Sequence, residues 1–130
     1  MAETPRLKPE QAEQARQPGG LSIAVTATGD IRMLTLAGEI DHHTGETLQQ
    51  ALDITGTTRP RIVIDMRQVA FMDSSGINIL ITAHQHITQA GGWLRLAEPT
   101  PSVRRVLQLV GIDQLIDCRD TLRHALTLTP

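Results

Sequence analysis

The six residues RIVIDM (61–66) restrict the chain more than any other stretch. They form a short, nearly continuous apolar run, which is what a β-strand buried on both faces requires. The segments around them supply elements of two periods. LSIAVTATG and IRMLTLAG are alternating runs separated by Gly29-Asp30, the pattern of a β-hairpin. DHHTGETLQQALDI then changes to helical spacing, with Leu48, Ala51 and Leu52 on one side and Asp41 or Thr44 available as N-cap. SGINILITAHQHITQAGG (75–92) reads as a helix closed by glycines and WLRLAE as a strand. TPSVRRVLQLVGI reads as a helix with Pro101 in its first turn and Gly111 at its end, LIDCRD as a last strand and TLRHALTL as a last helix. The expected fold is α/β: a mixed sheet of about five strands, an N-terminal hairpin followed by alternating strands and helices, with about four helices packed on it. No internal repeat is visible.

A chain of 130 residues is one domain by length and can bury a core without staples. Residues 1–20 mix Glu3, Glu10 and Glu13 with Arg6, Lys8 and Arg16, carry three prolines and end in PGG. They bury too little apolar surface to offset the entropy of ordering, so they are expected to be a disordered tail ahead of a domain spanning 21–130. A formal charge of −2, no Tyr, one Phe and one Trp leave neither the basic field nor the stacking surface that nucleic acid requires. No apolar run approaches the roughly 20 residues of a membrane span, and the N-terminus has no signal-peptide core, so the expectation is cytoplasmic. The single cysteine, Cys118, excludes an internal disulfide and a CxxC site.

The stretch VAFMDSSGINILI (69–81) passes from apolar into a polar knot and out again. On a helical wheel begun at Ser74, Gly76, Ile79, Leu80, Ala83, Ile87 and Ala90 share one side, the core face. Ser74, Ile77, Asn78, Ile81, Gln85 and Thr88 share the other. Ile77 and Ile81 there read either as a protein-docking patch or as residues covered by another element of the same domain. Ser74 has two readings as well. It caps the helix by accepting from backbone N–H groups, or it accepts a phosphate. A phosphate at that position faces the positive end of the helix without melting it, yet places about −1.5 to −2 charges beside any docking face. Such a site switches binding while the fold stands.

Two motifs, GEIDHHTGETL (38–48) and IDMRQVAFMDSSG (64–76), stand in this order and are followed by GGWLRLAEPTPSVRRVLQLVGI. In this the chain resembles the STAS-domain family, and within it the bacterial anti-sigma factor antagonists, over roughly residues 22–128. The resemblance implies a small STAS fold that binds an anti-sigma factor of the histidine-kinase-like ATPase type and so releases a sigma factor. It implies that the partner doubles as a serine kinase for the first serine of DSSG, and that a separate serine phosphatase reverses the modification. On these residues the acceptor is Ser74, with Ser75 its neighbour and Asp73 beside the reaction. Asp41, His42, His43 and Thr44 match the family's loop near the acceptor. The expected docking surface comprises that loop together with Met72, Asp73, Ser75, Gly76, Ile77, Asn78 and Ile81. Asn78 departs from the family, where many members have glycine.

Enzymatic readings are weaker. DHH at 41–43 is similar to the metal-binding run of the DHH phosphoesterases, but the further acidic motifs are missing, and the two histidines are expected to point to different sides of a loop. A triad of Ser74, Asp73 and His43 lacks the GxSxG elbow, and an Asp adjacent to its own nucleophile is poorly placed to orient a histidine. His84, His86 and His124 have the spacing of polar helix faces. The expectation is a monomeric, non-enzymatic binding protein with no cofactor and no metal. A STAS scaffold without the phosphoswitch, such as a stressosome part or a lipid-transporter subunit, is the alternative.

Overall fold

The computed structural model describes residues 20–127. Its elements are β1 (Leu21–Thr28), β2 (Ile31–Ile40), α1 (Gly45–Ala51), β3 (Arg61–Met72), α2 (Ser74–Gln89), β4 (Trp93–Ala97), α3 (Pro101–Leu109), α4 (Ile112–Leu115), β5 (Asp117–Arg119) and α5 (Leu122–Ala125). The expected tail falls outside the described residues except for Gly20, whose carbonyl accepts from the Glu39 N–H at 3.0 Å.

The strands form one sheet in the order β1-β2-β3-β4-β5. The hairpin pair β1–β2 is antiparallel, and each later pair is parallel. A sheet that always grows in one direction through crossovers of one hand places those crossovers on the same face. Accordingly, one core joins Leu34, Leu36, Ile62, Ile64 and Leu96 of the strands to Leu48 of α1, Leu80 of α2, Leu107 of α3 and Ile112 of α4. On the opposite face Ile31, Val63 and Ala97 pack with Ala125 of α5. β3 is therefore covered on both sides, as RIVIDM requires. Burying each large aliphatic side chain contributes about 1.5–3 kcal/mol.

Two boundaries differ from the expectation. β3 continues through RQVAFM to Met72: after Met66 two register shifts against β2 carry an extra residue each on β3, so that Val69 and Met72 stay buried with two exposed residues ahead of each. A fifth helix, α4, follows Gly111, whose φ of +80° reverses the chain after α3. Ile112, an apolar residue right after the glycine, is buried and anchors that turn.

The outer part of the second face is held by charge. The Arg95 guanidinium lies 3.8 Å over the Trp93 ring, donates to the Ala125 and Thr127 carbonyls, and approaches Asp117 at 3.5 Å. Arg119 donates to both Asp117 oxygens, at 2.7 and 2.6 Å. These bonds to Arg119 outweigh burial and, with Arg95, hold the Asp117 carboxyl below the usual carboxylate range. Its contribution to stability is present above about pH 4 and disappears as pH falls through the lower folded value. Asp117→Asn is expected to lose about 1 kcal/mol at neutral pH, because two largely buried guanidinium groups lose an anion that is itself 44% exposed and partly screened by solvent. In denaturant melts the difference between parent and variant should close as the solution is acidified.

Candidate functional site

β2 and β3 run parallel and finish side by side, with Ile40 opposite Met72. The Asp73 N–H donates to the Ile40 carbonyl at 3.1 Å, so the loop after β2 lies against the start of α2. That loop is internally bonded. The Thr44 hydroxyl donates to the Glu39 carbonyl at 2.9 Å and accepts from the Asp41 N–H at 2.9 Å. The Asp41 carboxylate accepts from the N–H groups of His43 and Thr44, at 2.9 and 3.1 Å. Partial burial raises the Asp41 carboxyl pKa, but the N–H groups of Thr44 and His43, the Thr44 hydroxyl and the His43 charge outweigh it, and the group lies below its ordinary value. Residues 41–44 thus form a preorganised loop whose side-chain bonds are spent on its own shape.

The histidines correct an expectation. Instead of pointing to different sides, His42 and His43 are both exposed, with ring centroids 4.0 Å apart and planes tilted by 38°. The turn that lets Asp41 bond to residues 43 and 44 brings the two rings together.

The helix start is also corrected. Asp73, in extended conformation, is the N-cap of α2, and its carboxylate accepts from the Ser75 N–H at 2.8 Å. Ser74 is the first helical residue and is exposed. Its hydroxyl has no hydrogen bond among the described residues. Within DSSG each residue type therefore has a separate physical task. Asp caps, the first Ser is presented to solvent, and Gly76 allows the helix to sit down on the sheet: a Cβ there would lie 2.6 Å from Met72 Cγ and 2.7 Å from Ile40 Cγ2.

The burial pattern divides the expected docking residues. His42, His43, Ser74 and Asn78 are exposed, and Asp41, Asp73, Ser75 and Ile81 are half-buried. Ile77 is only 7% exposed and belongs to the core, so the reading of Ile77 as part of an outer patch is overturned. α2 lies across the sheet with α1 alongside, and its covered arc is wider than the half-turn of the helical wheel. Thr44 at 8% and Met72 at 3% exposure are buried, as is Gly76. These three shape the surface from beneath and are not available to a partner as side chains. Phe71, which the expected docking surface leaves out, is 47% exposed at the end of β3, three positions before Ser74 and next to buried Met72, in the part of the strand that lies beyond RIVIDM.

The site is a surface, not a substrate pocket. The cleft of about 890 Å³ beside α1 and α2 is lined by Gln49, Leu52, Ile79, Thr82 and His86, not by Ser74. Among the described residues no three His, Cys, Asp or Glu side chains gather as metal ligands. Burial pushes the Cys118 thiol up to about 11, which leaves it a poor nucleophile at neutral pH. No helix of the described residues is long and apolar enough to cross a membrane.

A family model described as "STAS domain" matches residues 22–125. An anti-sigma F factor antagonist of Paenibacillus polymyxa is 30% identical over 109 residues, covering 82% of this chain and 93% of that protein. The crystal structure of an anti-sigma factor antagonist from Mycobacterium paratuberculosis is similar with a TM-score of 0.76 at 27% identity, over 86% of this chain and 96% of that one. The anti-sigma factor antagonist SpoIIAA in its unphosphorylated form is similar with a TM-score of 0.67 at 25% identity, over 81% of this chain and 93% of that one.

Proposed function

The chain belongs to the STAS-domain family, and from that premise we propose that it is an anti-sigma factor antagonist controlled by phosphorylation of Ser74. It binds an anti-sigma factor of the histidine-kinase-like ATPase type and frees a sigma factor for RNA polymerase. The partner, acting as a serine kinase, phosphorylates Ser74, and a serine phosphatase restores the binding form. The nucleotide belongs to the partner; this chain is the substrate and performs no chemistry of its own. A partner that acts on transcription places the chain in the cytoplasm.

The observation that carries this reading is the exposed Ser74 hydroxyl, unbonded among the described residues, on a helix already capped by Asp73. A hydroxyl with no structural duty can be modified without structural cost. The similarity to anti-sigma factor antagonists supports the antagonist role, and SpoIIAA, whose structure is of the unphosphorylated form, supports a phosphorylatable member of the family. No Lys or Arg lies within residues 69–81 to neutralise an added phosphate, and Asp73 is already anionic beside it. The added charge is therefore felt by the partner.

The proposed surface consists of Ser74, Asn78 and Ile81 on α2, Asp73 and Ser75 at the helix start, Phe71, and the loop carrying Asp41, His42 and His43. All of it lies on one copy, so a single chain is the binding unit. Titration of candidate kinase-type anti-sigma factors without ATP tests it. Asn78→Arg, on an exposed position, should keep the parent melting curve and weaken the complex by about tenfold or more. A complex that forms equally well with Asn78→Arg and with Ser74→Asp would place the interface elsewhere.

A further inference from the structure

β1 is the edge of the sheet among the described residues, and its own sequence lacks the devices that usually blunt an edge. LSIAVTAT contains no charged residue and no proline, and all eight residues pair with β2 in unbroken register, without a bulge. The direction of its amides follows from the hairpin. Gly20 accepts from Glu39, and Thr28 faces Ile31 across the two-residue turn, so the even-numbered residues bond to β2. Leu21, Ile23, Val25 and Ala27 turn their N–H and C=O groups outward, where the described residues offer them no partner.

From this edge we infer that two copies of the chain pair through β1 in antiparallel fashion, on a two-fold axis at Ala24. The strand is a palindrome in chemical character about that residue. In this register Ile23 faces Val25 of the second copy, Ser22 faces Thr26, Leu21 faces Ala27 and Ala24 faces itself. Apolar meets apolar and hydroxyl meets hydroxyl, the self-complementarity that an isologous interface demands. The register also satisfies the backbone: the outward residues meet one another, giving about eight inter-chain hydrogen bonds and one continuous ten-strand sheet. Val25, 57% exposed in the single copy, is covered by Ile23 of the other on the face where Leu21 and Ile23 already meet the core. The occupant is a second copy because no charge or proline bars it and because the strand matches itself in the one register that also aligns the amides.

The consequence for the proposed function is geometric. An antiparallel pairing turns the two chains head to tail, so the two Ser74 ends point in opposite directions and neither is covered. The dimer is a divalent antagonist whose binding units remain single chains.

Sedimentation equilibrium of the full chain over a wide concentration range tests this. The parent should show a monomer–dimer equilibrium. Ala24→Lys and Ala24→Glu, on an exposed position, each place like charges opposite one another on the axis and should raise the dimer dissociation constant by about tenfold or more. An equimolar mixture of the two should dimerise again, since Lys then faces Glu. Val25→Pro removes an outward N–H and leaves the bonds to β2, so it should give a folded monomer by circular dichroism. A parent that stays monomeric up to about 1 mM overturns the proposal. So does dimerisation unaffected by Ala24→Lys, or a Lys and Glu mixture that stays monomeric.

Discussion

Ser74→Asp is expected to fold with a stability within about 0.5 kcal/mol of the parent, yet to bind a kinase-type anti-sigma factor about a hundredfold or more weaker. The two halves have different causes. Stability is kept because Asp73, not Ser74, caps α2, and an acidic residue in the first helical turn faces the positive end of the dipole. Binding is lost because a second carboxylate beside Asp73 must be desolvated or opposed by the partner, and misplaced charge in an interface costs several kcal/mol. Ser74→Ala should bind like the parent and resist the kinase. Denaturant melts and titration calorimetry on the same samples check both halves. Unfolding of both variants would reduce Ser74 to a structural residue.

The largest effect on stability is expected at the other end of the sheet, from Gly92→Ala. The Gly92 N–H closes α2 by donating to the Ile87 carbonyl at 2.9 Å, and the next residue starts the β3–β4 pairing through Trp93 N–H to the Pro60 carbonyl, also 2.9 Å. A Cβ on Gly92 would stand 1.7 Å from the Pro60 oxygen and 2.7 Å from its carbonyl carbon. Those are backbone atoms anchored at the start of β3, so no side chain can swing aside. The helix end and the first β3–β4 contact must separate, at a loss of about 3 kcal/mol or more. The urea midpoint should fall with an unchanged slope, and folded Gly92→Ala should still bind the anti-sigma partner, since Ser74 lies at the opposite end of β3. A loss below about 1 kcal/mol would mean that the junction of α2 and β4 with Pro60 is not rigid.

Much of this architecture was legible in the residues. RIVIDM announced a strand covered on both faces, and Gly29-Asp30 marked the hairpin whose edge now carries the pairing proposal. The wheel drawn from Ser74 identified Ile79, Leu80 and Ile87 as core residues, all three of which are buried. It failed at Ile77, because the periodicity of one helix says where its apolar side is and not how far the neighbouring elements wrap around it. The end of β3 escaped for a related reason. Past Met66 two register shifts against β2 break the strand's period, leaving only Val69 and Met72 buried, and Arg67 and Gln68 conceal the continuation. Cap assignment at DSSG was ambiguous because Asp and Ser are both good N-caps. Only backbone geometry, with Asp73 extended and Ser74 helical, separates the residue that holds the helix from the one left free.

We propose Ser74 as a hydroxyl kept free for phosphorylation by the protein that the chain binds. The most direct test is to mix the chain with kinase-type anti-sigma factors and ATP, follow intact mass, and locate any modification by peptide fragmentation while the complex is monitored by size. One phosphoryl group is expected, on Ser74, with dissociation of the complex as it accumulates. An unmodified chain in a complex that persists with ATP, or a phosphate on another residue with Ser74 untouched, would contradict it.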